Sequence, residues 1–336
     1  MSDKKPIIGI TLGDFNGIGP ETIINVLKDN RINKQCTIVV YGHPGIFAQM
    51  RKIMDIDNFS LNKIDESFDK IHFKKSNIFV CWEDDYQLNL GNPSKDSATA
   101  ALKAINTAAN HLKEGKLDGV VTAPISKEHI KNIKSGFIGH TELFTNMFDD
   151  TESLMFLVSE KVKTATMTGH IPLSEVATTI SRKKLVAKTK VLVKSLQKDF
   201  GIEKPKIAIL GLNPHASDNG AIGSEEKDMI IPAIQNLKDA DILAFGPYPA
   251  DGMFGSGMYK KFDAILGMYH DQVLTPFKTI AFEEGVNFTA GLPVVRTSPD
   301  HGTAFDIAGE NLADPTSLRE AIFTTIDILK NRKEEN

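Results

Sequence analysis

Short apolar runs rich in β-branched residues recur along the whole chain, and each precedes a cluster of glycine, proline, asparagine or histidine. The clearest runs are Ile7–Thr11, Thr37–Tyr41, Gly119–Thr122, Thr164–Met167, Lys206–Leu210, Ile242–Phe245 and Ala264–Met268. They hardly alternate apolar with polar residues, which predicts strands buried on both faces. Between them, apolar residues at three- and four-residue spacing predict helices, as in 98–112 and 185–200. Alternating strands and helices predict an α/β fold with a largely parallel sheet.

The composition is that of an ordinary globular protein, with 41% hydrophobic and 24% charged residues among 336. The net charge is only -4 and lysine and arginine form no long run, so nucleic acid is not expected as a partner. The two cysteines cannot build a disulfide framework or a zinc finger. No apolar run reaches the roughly 18 residues of a membrane span, and the first residues lack the apolar core of a signal peptide. We therefore expect a soluble, cytoplasmic protein with no membrane partner.

Polar residues that directly follow the predicted strands are the candidate site residues, because open α/β sheets bind ligands at the carboxyl ends of their strands. His170, His215 and His270 follow three different predicted strands. Imidazole is a common zinc ligand, and three such ligands leave one coordination position for a substrate. Their spacing matches no local metal motif, and each histidine could instead bond a loop carbonyl. Their placement therefore predicts a metal site that their spacing alone would not.

Residues that could bind an anion lie elsewhere in the chain. Thr141 follows His140 and precedes an apolar stretch, so it could cap a helix whose free N–H groups hold a phosphate, or merely cap it. Lys278, Asn287 and Arg296 lie in a region punctuated by proline and glycine, where the cations could hold an anionic substrate. Composition alone does not select these three residues.

The segment after the first predicted strand, Gly13–Glu21, is glycine-rich but does not match a nucleotide-binding motif. Thr22 stands where the dinucleotide fingerprint requires a third small residue, and the chain contains no P-loop sequence. A standard Rossmann or nucleoside triphosphate site is therefore not expected. A tight turn before a helix is the simpler interpretation.

Seven segments, in order along the chain, resemble the 4-hydroxythreonine-4-phosphate dehydrogenase family of pyridoxal phosphate biosynthesis. They are GDFNGIGPE at 13–21, VTAPISK at 121–127, GHTELF at 139–144, TGHIPL at 168–173, LNPHASDNG at 212–220, MYHDQ at 268–272 and GLPVVRTSPDHGTAFDIAG at 291–309. Seven ordered segments are far more specific than any single motif.

The resemblance implies a homodimeric dehydrogenase that depends on NAD or NADP and on one divalent ion, zinc, cobalt or magnesium. It implies a fold like that of isocitrate and isopropylmalate dehydrogenases and a site at the dimer interface with ligands from both subunits. By analogy, residues 1–125 and 290–336 form a first lobe, and residues 126–289 form a second lobe that carries the metal ligands and the dimer contacts.

The family's functional residues carry over by position. The resemblance assigns metal ligation to His170, His215 and His270, and substrate contacts to His140, Thr141, Lys278, Asn287 and Arg296. The stretch 301–315 is similar to the adenine-side loop of isopropylmalate dehydrogenases, which implies cofactor contacts at His301, Gly302, Thr303, Asp306 and Asn311. No general base is identified, although Asp251 and Asp271 are candidates.

The implied reaction is the oxidation of 4-hydroxy-L-threonine 4-phosphate to 2-amino-3-oxo-4-phosphooxybutanoate. This product decarboxylates to 3-amino-2-oxopropyl phosphate, on the route to pyridoxine 5'-phosphate and vitamin B6. Relatives oxidise other phosphorylated four-carbon hydroxy acids, so a threonate or erythronate 4-phosphate is an alternative substrate. A phosphate acyltransferase that needs neither metal nor NAD, and a non-catalytic sensor on the same scaffold, are further alternatives.

Overall fold

The computed structural model describes residues 5–136, 139–148 and 152–334. The strands are β1 (Ile7–Thr11), β2 (Thr37–Gly42), β3 (Asn62–Ile64), β4 (Asn77–Val80), β5 (Gly119–Thr122), β6 (Leu154–Val158), β7 (Lys163–Thr166), β8 (Ile207–Leu210), β9 (Ala244–Tyr248), β10 (Ala264–Gly267), β11 (Val286–Ala290) and β12 (Val295–Pro299). The α-helices are α1 (Gly19–Leu27), α2 (Pro44–Ile53), α3 (Lys95–Lys113), α4 (Lys127–Ile133), α5 (His140–Met147), α6 (Leu173–Thr179), α7 (Arg182–Lys198), α8 (Ile231–Lys238), α9 (Ala250–Gly255), α10 (His270–Ala281) and α11 (Thr316–Glu334).

The chain divides into two compact units, the first comprising Met1–Asp150 and Pro293–Lys330 and the second comprising Thr151–Leu292 and Asn331–Asn336. The first unit includes residues 126–148, which the sequence analysis assigned to the second lobe. The physical reason is that α4, which begins this segment, packs against α3 of the first unit.

The first unit is built on six parallel strands in the order β3-β4-β2-β1-β5-β12. Every residue of β2, β5 and β12 is buried, and β1 is buried except at its first residue. Helix α3 packs on β1, β2 and β5, and its small residues Ala101, Ala104 and Ala108 are buried there. These strands place their carboxyl ends at one edge, followed by the segments Gly13–Glu21 and 123–127.

The second unit contains strands in the order β11-β6-β7-β10-β8-β9. The pairs β7–β10, β10–β8 and β8–β9 are parallel, whereas β11–β6 and β6–β7 are antiparallel. Its core includes Leu210, Ile265, Val273 and Phe277, so helix α10 covers β10 with its apolar face. This arrangement places the starts of the loops after β7, β8 and β10 at the same edge.

The predicted α/β class with a largely parallel sheet is confirmed. All seven predicted strands are present, two of them, β1 and β5, with the predicted bounds. The two predicted helices correspond to α3 and α7. No helix among the described residues is long and apolar enough to cross a membrane.

Candidate active site

Two of the three candidate metal ligands lie side by side in the second unit. His170 follows β7 and His270 is the first residue of α10, directly beyond β10. Because β7 and β10 pair in parallel, with Thr164 opposite Ile265, both loops leave the same edge of the sheet. The imidazole centroids are 5.4 Å apart. Two imidazoles that bind one tetrahedral ion at about 2.0–2.1 Å have centroids about 5 Å apart, so the spacing of this pair fits a shared ion.

A carboxylate orients one of these rings. Nδ1 of His270 lies 2.6 Å from Oδ1 of Asp271, whose side chain is 80% exposed. A carboxylate that accepts a hydrogen bond from one imidazole nitrogen fixes the tautomer and the orientation of the ring. His270 can thus offer Nε2 as a ligand, and the role of Asp271 in this arrangement is to orient His270.

The third candidate ligand, His215, lies in an unusual turn. Residues 215–219 all have positive φ angles, between 45° and 67°, although none of them is glycine. His215 is exposed at the start of this left-handed turn. In residues 5–136, 139–148 and 152–334, no group of three or more histidine, cysteine, aspartate or glutamate side chains is arranged to hold an ion. The single chain therefore brings His170 and His270 together, but does not join His215 to them.

In the first unit, Arg296 is a buried cation beside a strand-end hydroxyl. It lies on β12, which pairs with β5, and it is 2% exposed. Its Nε and Nη2 donate to Oγ1 of Thr122 at 3.1 and 2.6 Å. Burial lowers the pKa of Arg296 to about 10, and the nearby carboxylate of Glu142 opposes this shift. The guanidinium therefore remains charged at neutral pH and is suited to bind an anion.

His140 lies close to this cation. It is the first residue of α5, and its Nε2 is buried with no hydrogen-bond partner among the described residues. Burial lowers the pKa of His140 well below its usual 6.5, and the charges of Arg296 and Lys127 lower it further. A buried nitrogen without a hydrogen-bond partner is unfavourable, so this neutral imidazole beside a guanidinium favours the binding of a polar ligand.

The prediction that Thr141 caps this helix was wrong. Helix α5 begins at His140 and Gly139 precedes it, so Thr141 is the second helical residue rather than the cap. The carbonyl of Thr141 accepts a hydrogen bond from Oγ1 of Thr145. Thr141 still lies in the first turn, close to His140 in the chain.

The other predicted site residues of the second unit are spread over three elements. Asn287 lies on β11, and its Oδ1 is buried without a hydrogen-bond partner in the described part of the chain. Lys278 lies on α10, two turns after His270, with Nζ 6.0 Å from the centre of the Phe282 ring. Asp251 is exposed on α9, and its Oδ1 accepts a hydrogen bond from the backbone N–H of Gly252.

The segment 301–313 contains the residues predicted to contact the cofactor, and we call it the cofactor loop for that prediction; hydrogen bonds connect it to the first helix of the first unit. The backbone N–H of Gly309 donates to Oε2 of the buried Glu21 at 2.6 Å, and Nδ2 of Asn25 donates to Oδ1 of Asn311 at 2.9 Å. The carbonyl of Thr303 accepts from the N–H of Ile18. These three bonds tie the loop to α1 and to the turn before it.

The remaining predicted cofactor residues of this loop are His301, which is partly buried, and Gly302 and Asp306, which are exposed. Nδ1 of His301 lies 3.0 Å from the carbonyl oxygen of Gly302. Gly302 is exposed, with no atom within 4 Å of the position that a Cβ would take. Asp306 is exposed in a short 3-10 turn, Phe305–Ile307. Leu312, next to Asn311, is 67% exposed. Gly302, Asp306 and Leu312 are thus exposed residues of this loop.

Sequence reasoning missed the residues that support these groups. Thr122, Lys127 and Glu142 surround Arg296 and His140, yet none was selected from the sequence. Thr122 and Lys127 do lie at and just beyond a correctly predicted strand end, which is the signal that would have found them. Glu142 offered no comparable signal.

Comparisons with known proteins agree with this picture. The family model of the pyridoxal phosphate biosynthetic protein PdxA matches residues 34–325. The chain is 44% identical over its whole length to a 4-hydroxythreonine-4-phosphate dehydrogenase of Bacteroides thetaiotaomicron, covering 92% of that protein. It is 38% identical to a putative D-threonate 4-phosphate dehydrogenase of Oceanobacillus iheyensis, over 97% of this chain and 98% of that protein.

Solved structures are similar along the whole chain. A crystal structure of 4-hydroxythreonine-4-phosphate dehydrogenase from Klebsiella pneumoniae matches with a TM-score of 0.83 at 32% identity, covering 97% of this chain and 100% of that one. An isocitrate dehydrogenase from Methylococcus capsulatus matches with a TM-score of 0.51 at 12% identity, over 98% of this chain and 87% of that one, which shows the fold alone. The chain is an α/β protein with the fold of that dehydrogenase. It belongs to the PdxA family of pyridoxal phosphate biosynthetic proteins.

Proposed function

We propose that this protein is a metal- and NAD(P)-dependent dehydrogenase that oxidises 4-hydroxy-L-threonine 4-phosphate. The secondary alcohol loses a hydride to the nicotinamide and a proton to the medium, giving 2-amino-3-oxo-4-phosphooxybutanoate. This β-keto acid then loses carbon dioxide to give 3-amino-2-oxopropyl phosphate. The family and the names of its relatives support the choice of reaction.

The observation that carries the proposal is the pair of imidazoles formed by His170 and His270, with centroids 5.4 Å apart and Asp271 orienting one ring. Imidazole nitrogens are suitable ligands for zinc or cobalt, and His215 is the proposed third ligand. When bound, the ion would supply a Lewis acid that lowers the pKa of the substrate hydroxyl and stabilises the charge left by decarboxylation.

The protein's own residues bind and orient the anionic substrate. Arg296 supplies a charge held in place by Thr122, and His140 offers Nε2 as a donor to an oxyanion without carrying a charge itself. Thr141 adds its own backbone N–H, which lies in the first turn of α5. Lys278 and Asn287 are the further proposed substrate contacts, and the buried Oδ1 of Asn287, which has no hydrogen-bond partner among the described residues, can accept a substrate N–H or O–H.

The cofactor loop is proposed to hold the adenosine half of NAD or NADP through His301, Gly302, Thr303, Asp306 and Asn311. The hydrogen bonds that join this loop to Glu21 and Asn25 support this role, because a loop that is ordered before binding loses less entropy when it binds. We also propose that the chain acts as a cytoplasmic homodimer in which both subunits contribute to each site. Asp251 remains the candidate for the general base.

The test is the formation of NADH from 4-hydroxy-L-threonine 4-phosphate before and after removal of metal by a chelator. We expect activity to disappear on chelation and to return with zinc or cobalt. His215→Ala should lose both metal and turnover while retaining the circular dichroism of the native protein. NADH formation that survives chelation would contradict the proposed metal dependence, and a protein that forms no NADH from this substrate even with metal would contradict the proposed reaction.

A second candidate substrate is D-threonate 4-phosphate, because a relative that is 38% identical over nearly its whole length is named for it. The two substrates share the phosphate and the secondary alcohol, but threonate lacks the amine. Comparing kcat/KM for both, with NAD and then with NADP, decides the substrate and the cofactor. A higher kcat/KM for threonate phosphate would replace the first substrate with the second.

A further inference from the structure

Gln272 links the loops that carry two of the proposed metal ligands. Its Oε1 accepts a hydrogen bond from the backbone N–H of Met268 at 2.7 Å. Its Nε2 donates to the carbonyl of Gly211, also at 2.7 Å. Met268 is two residues before His270, and Gly211 is four residues before His215. One half-buried amide thus spans the two loops with both of its polar atoms engaged.

The loop of His170 is also hydrogen-bonded to Met268. Oγ1 of Thr168 donates to the carbonyl of Met268 at 2.8 Å, and the N–H of Thr168 also points to this carbonyl, at 3.2 Å. Thr168 is two residues before His170 and is buried. The N–H and the carbonyl of Met268 therefore bind Gln272 and Thr168 respectively, and all three histidine loops are connected through this residue.

The turn that carries His215 needs such support. A left-handed conformation is unfavourable for residues with a side chain, and His215, Ala216 and Ser217 all adopt it, followed by Asp218 and Asn219. Gly211 packs against this turn, since a Cβ on Gly211 would stand 2.9 Å from Cα of Ala216. The residue whose carbonyl Gln272 binds therefore packs directly against the strained segment.

A buried carboxylate holds the residues just before the turn. Oε1 of Glu226, which is 1% exposed, accepts from the N–H groups of Leu212 and Asn213, both at 2.7 Å. Oε2 of Glu226 accepts from Nδ2 of Asn213 at 2.9 Å. Glu226 thus holds the residues that lead into the turn, whereas Gln272 connects this segment to the loop of His270.

We propose that Gln272 is a positioning residue that fixes the His215 turn relative to the loop of His270, and so sets the affinity of the site for a divalent ion. The inference rests on the proposed metal ligation, but the tether itself is independent of any ion. Groups that orient metal ligands without touching the metal change its affinity by about 10- to 100-fold when they are removed.

The test compares Gln272→Met with Gln49→Met. Gln49 is a matched control because it forms the same bridge in the first unit, with Nε2 donating to the carbonyl of Tyr86 and Oε1 accepting from the N–H of Leu88. Both variants lose one bridging amide and keep the length of the side chain. The affinity for Co²⁺ is measured by competition with a chromophoric chelator, and hydrogen–deuterium exchange is measured over residues 211–220 without metal.

We expect Gln272→Met to bind Co²⁺ about 10-fold more weakly and to exchange faster over 211–220, and Gln49→Met to change neither. Unchanged affinity or unchanged exchange in Gln272→Met would overturn the proposal. If native protein binds no Co²⁺, the proposed metal ligation fails, and the exchange result alone then supports or overturns the tether. Should Gln272→Met not fold, Gln272→Glu serves instead, because it keeps the acceptor for Met268 and loses the donor to Gly211.

Discussion

Replacing His140 with asparagine should make the first unit less sensitive to acid. The folded protein holds the pKa of His140 well below 6.5 through burial, and the cations Arg296 and Lys127 act in the same direction. Glu142 is the acidic group nearby, and it acts on Arg296. In the unfolded chain the imidazole protonates near its usual pKa of 6.5. Between the two pKa values the unfolded state binds more protons, so stability is complete above pH 6.5 and falls as the pH falls.

The size of the effect follows from the unfolded pKa alone, as long as the folded imidazole stays neutral. At about pH 5.5, one pH unit below 6.5, protonation stabilises the unfolded chain by about 1.4 kcal/mol, and at about pH 7.5 by less than about 0.1 kcal/mol. Asp14 and Glu21 are buried carboxyls with raised pKa values in the same unit. They titrate equally in the native and variant proteins, so their contributions cancel in the difference.

Urea unfolding followed by tryptophan fluorescence measures this difference. Trp82 is the single tryptophan, is 5% exposed and lies in the first unit, so its emission reports the unfolding of that unit. Between about pH 7.5 and 5.5 the native protein should lose about 1.4 kcal/mol more unfolding free energy than His140→Asn. Equal losses in the two proteins would refute the reasoning, because they would mean that the folded imidazole accepts a proton as readily as the unfolded one.

Three further predictions concern residues that support the site. Thr122→Val removes the hydroxyl that binds Arg296. The free energy of unfolding measured in urea should therefore fall by about 1.5–3 kcal/mol, and the KM for the substrate should rise. Unchanged values of both would contradict this prediction. Asp271→Asn weakens the hydrogen bond that orients the His270 ring. The affinity for Co²⁺, measured by competition with a chelator, should therefore fall about 10-fold. An unchanged affinity would contradict this prediction. Glu21→Gln weakens the hydrogen bond from the N–H of Gly309 and so loosens the cofactor loop. The KM for NAD should rise about fivefold while the KM for the substrate stays constant. A rise in both KM values would contradict the prediction and indicate a general structural defect.

Some of the fold was predictable because it follows from local patterns. The residues of β1 and β5 are continuous apolar runs, and a strand buried on both faces needs such a run wherever its neighbours lie. Strand β12 was missed because its sequence, VRTSP, carries polar residues at buried positions. Those polar groups are satisfied by partners far away in the chain, as when Thr297 bonds the carbonyl of Ala321.

The candidate site divides in the same way. The sequence by itself determined which residues follow the strands, and therefore that His170, His215 and His270 are candidates at one edge of a sheet. Only the tertiary structure decided that two of these rings lie 5.4 Å apart, that Arg296 is buried against Thr122, and that one glutamine bridges two loops. The physical reason is that strand order and register are set by packing between residues distant in the chain. The hydrophobic periodicity that distinguishes a strand from a helix depends only on neighbouring residues.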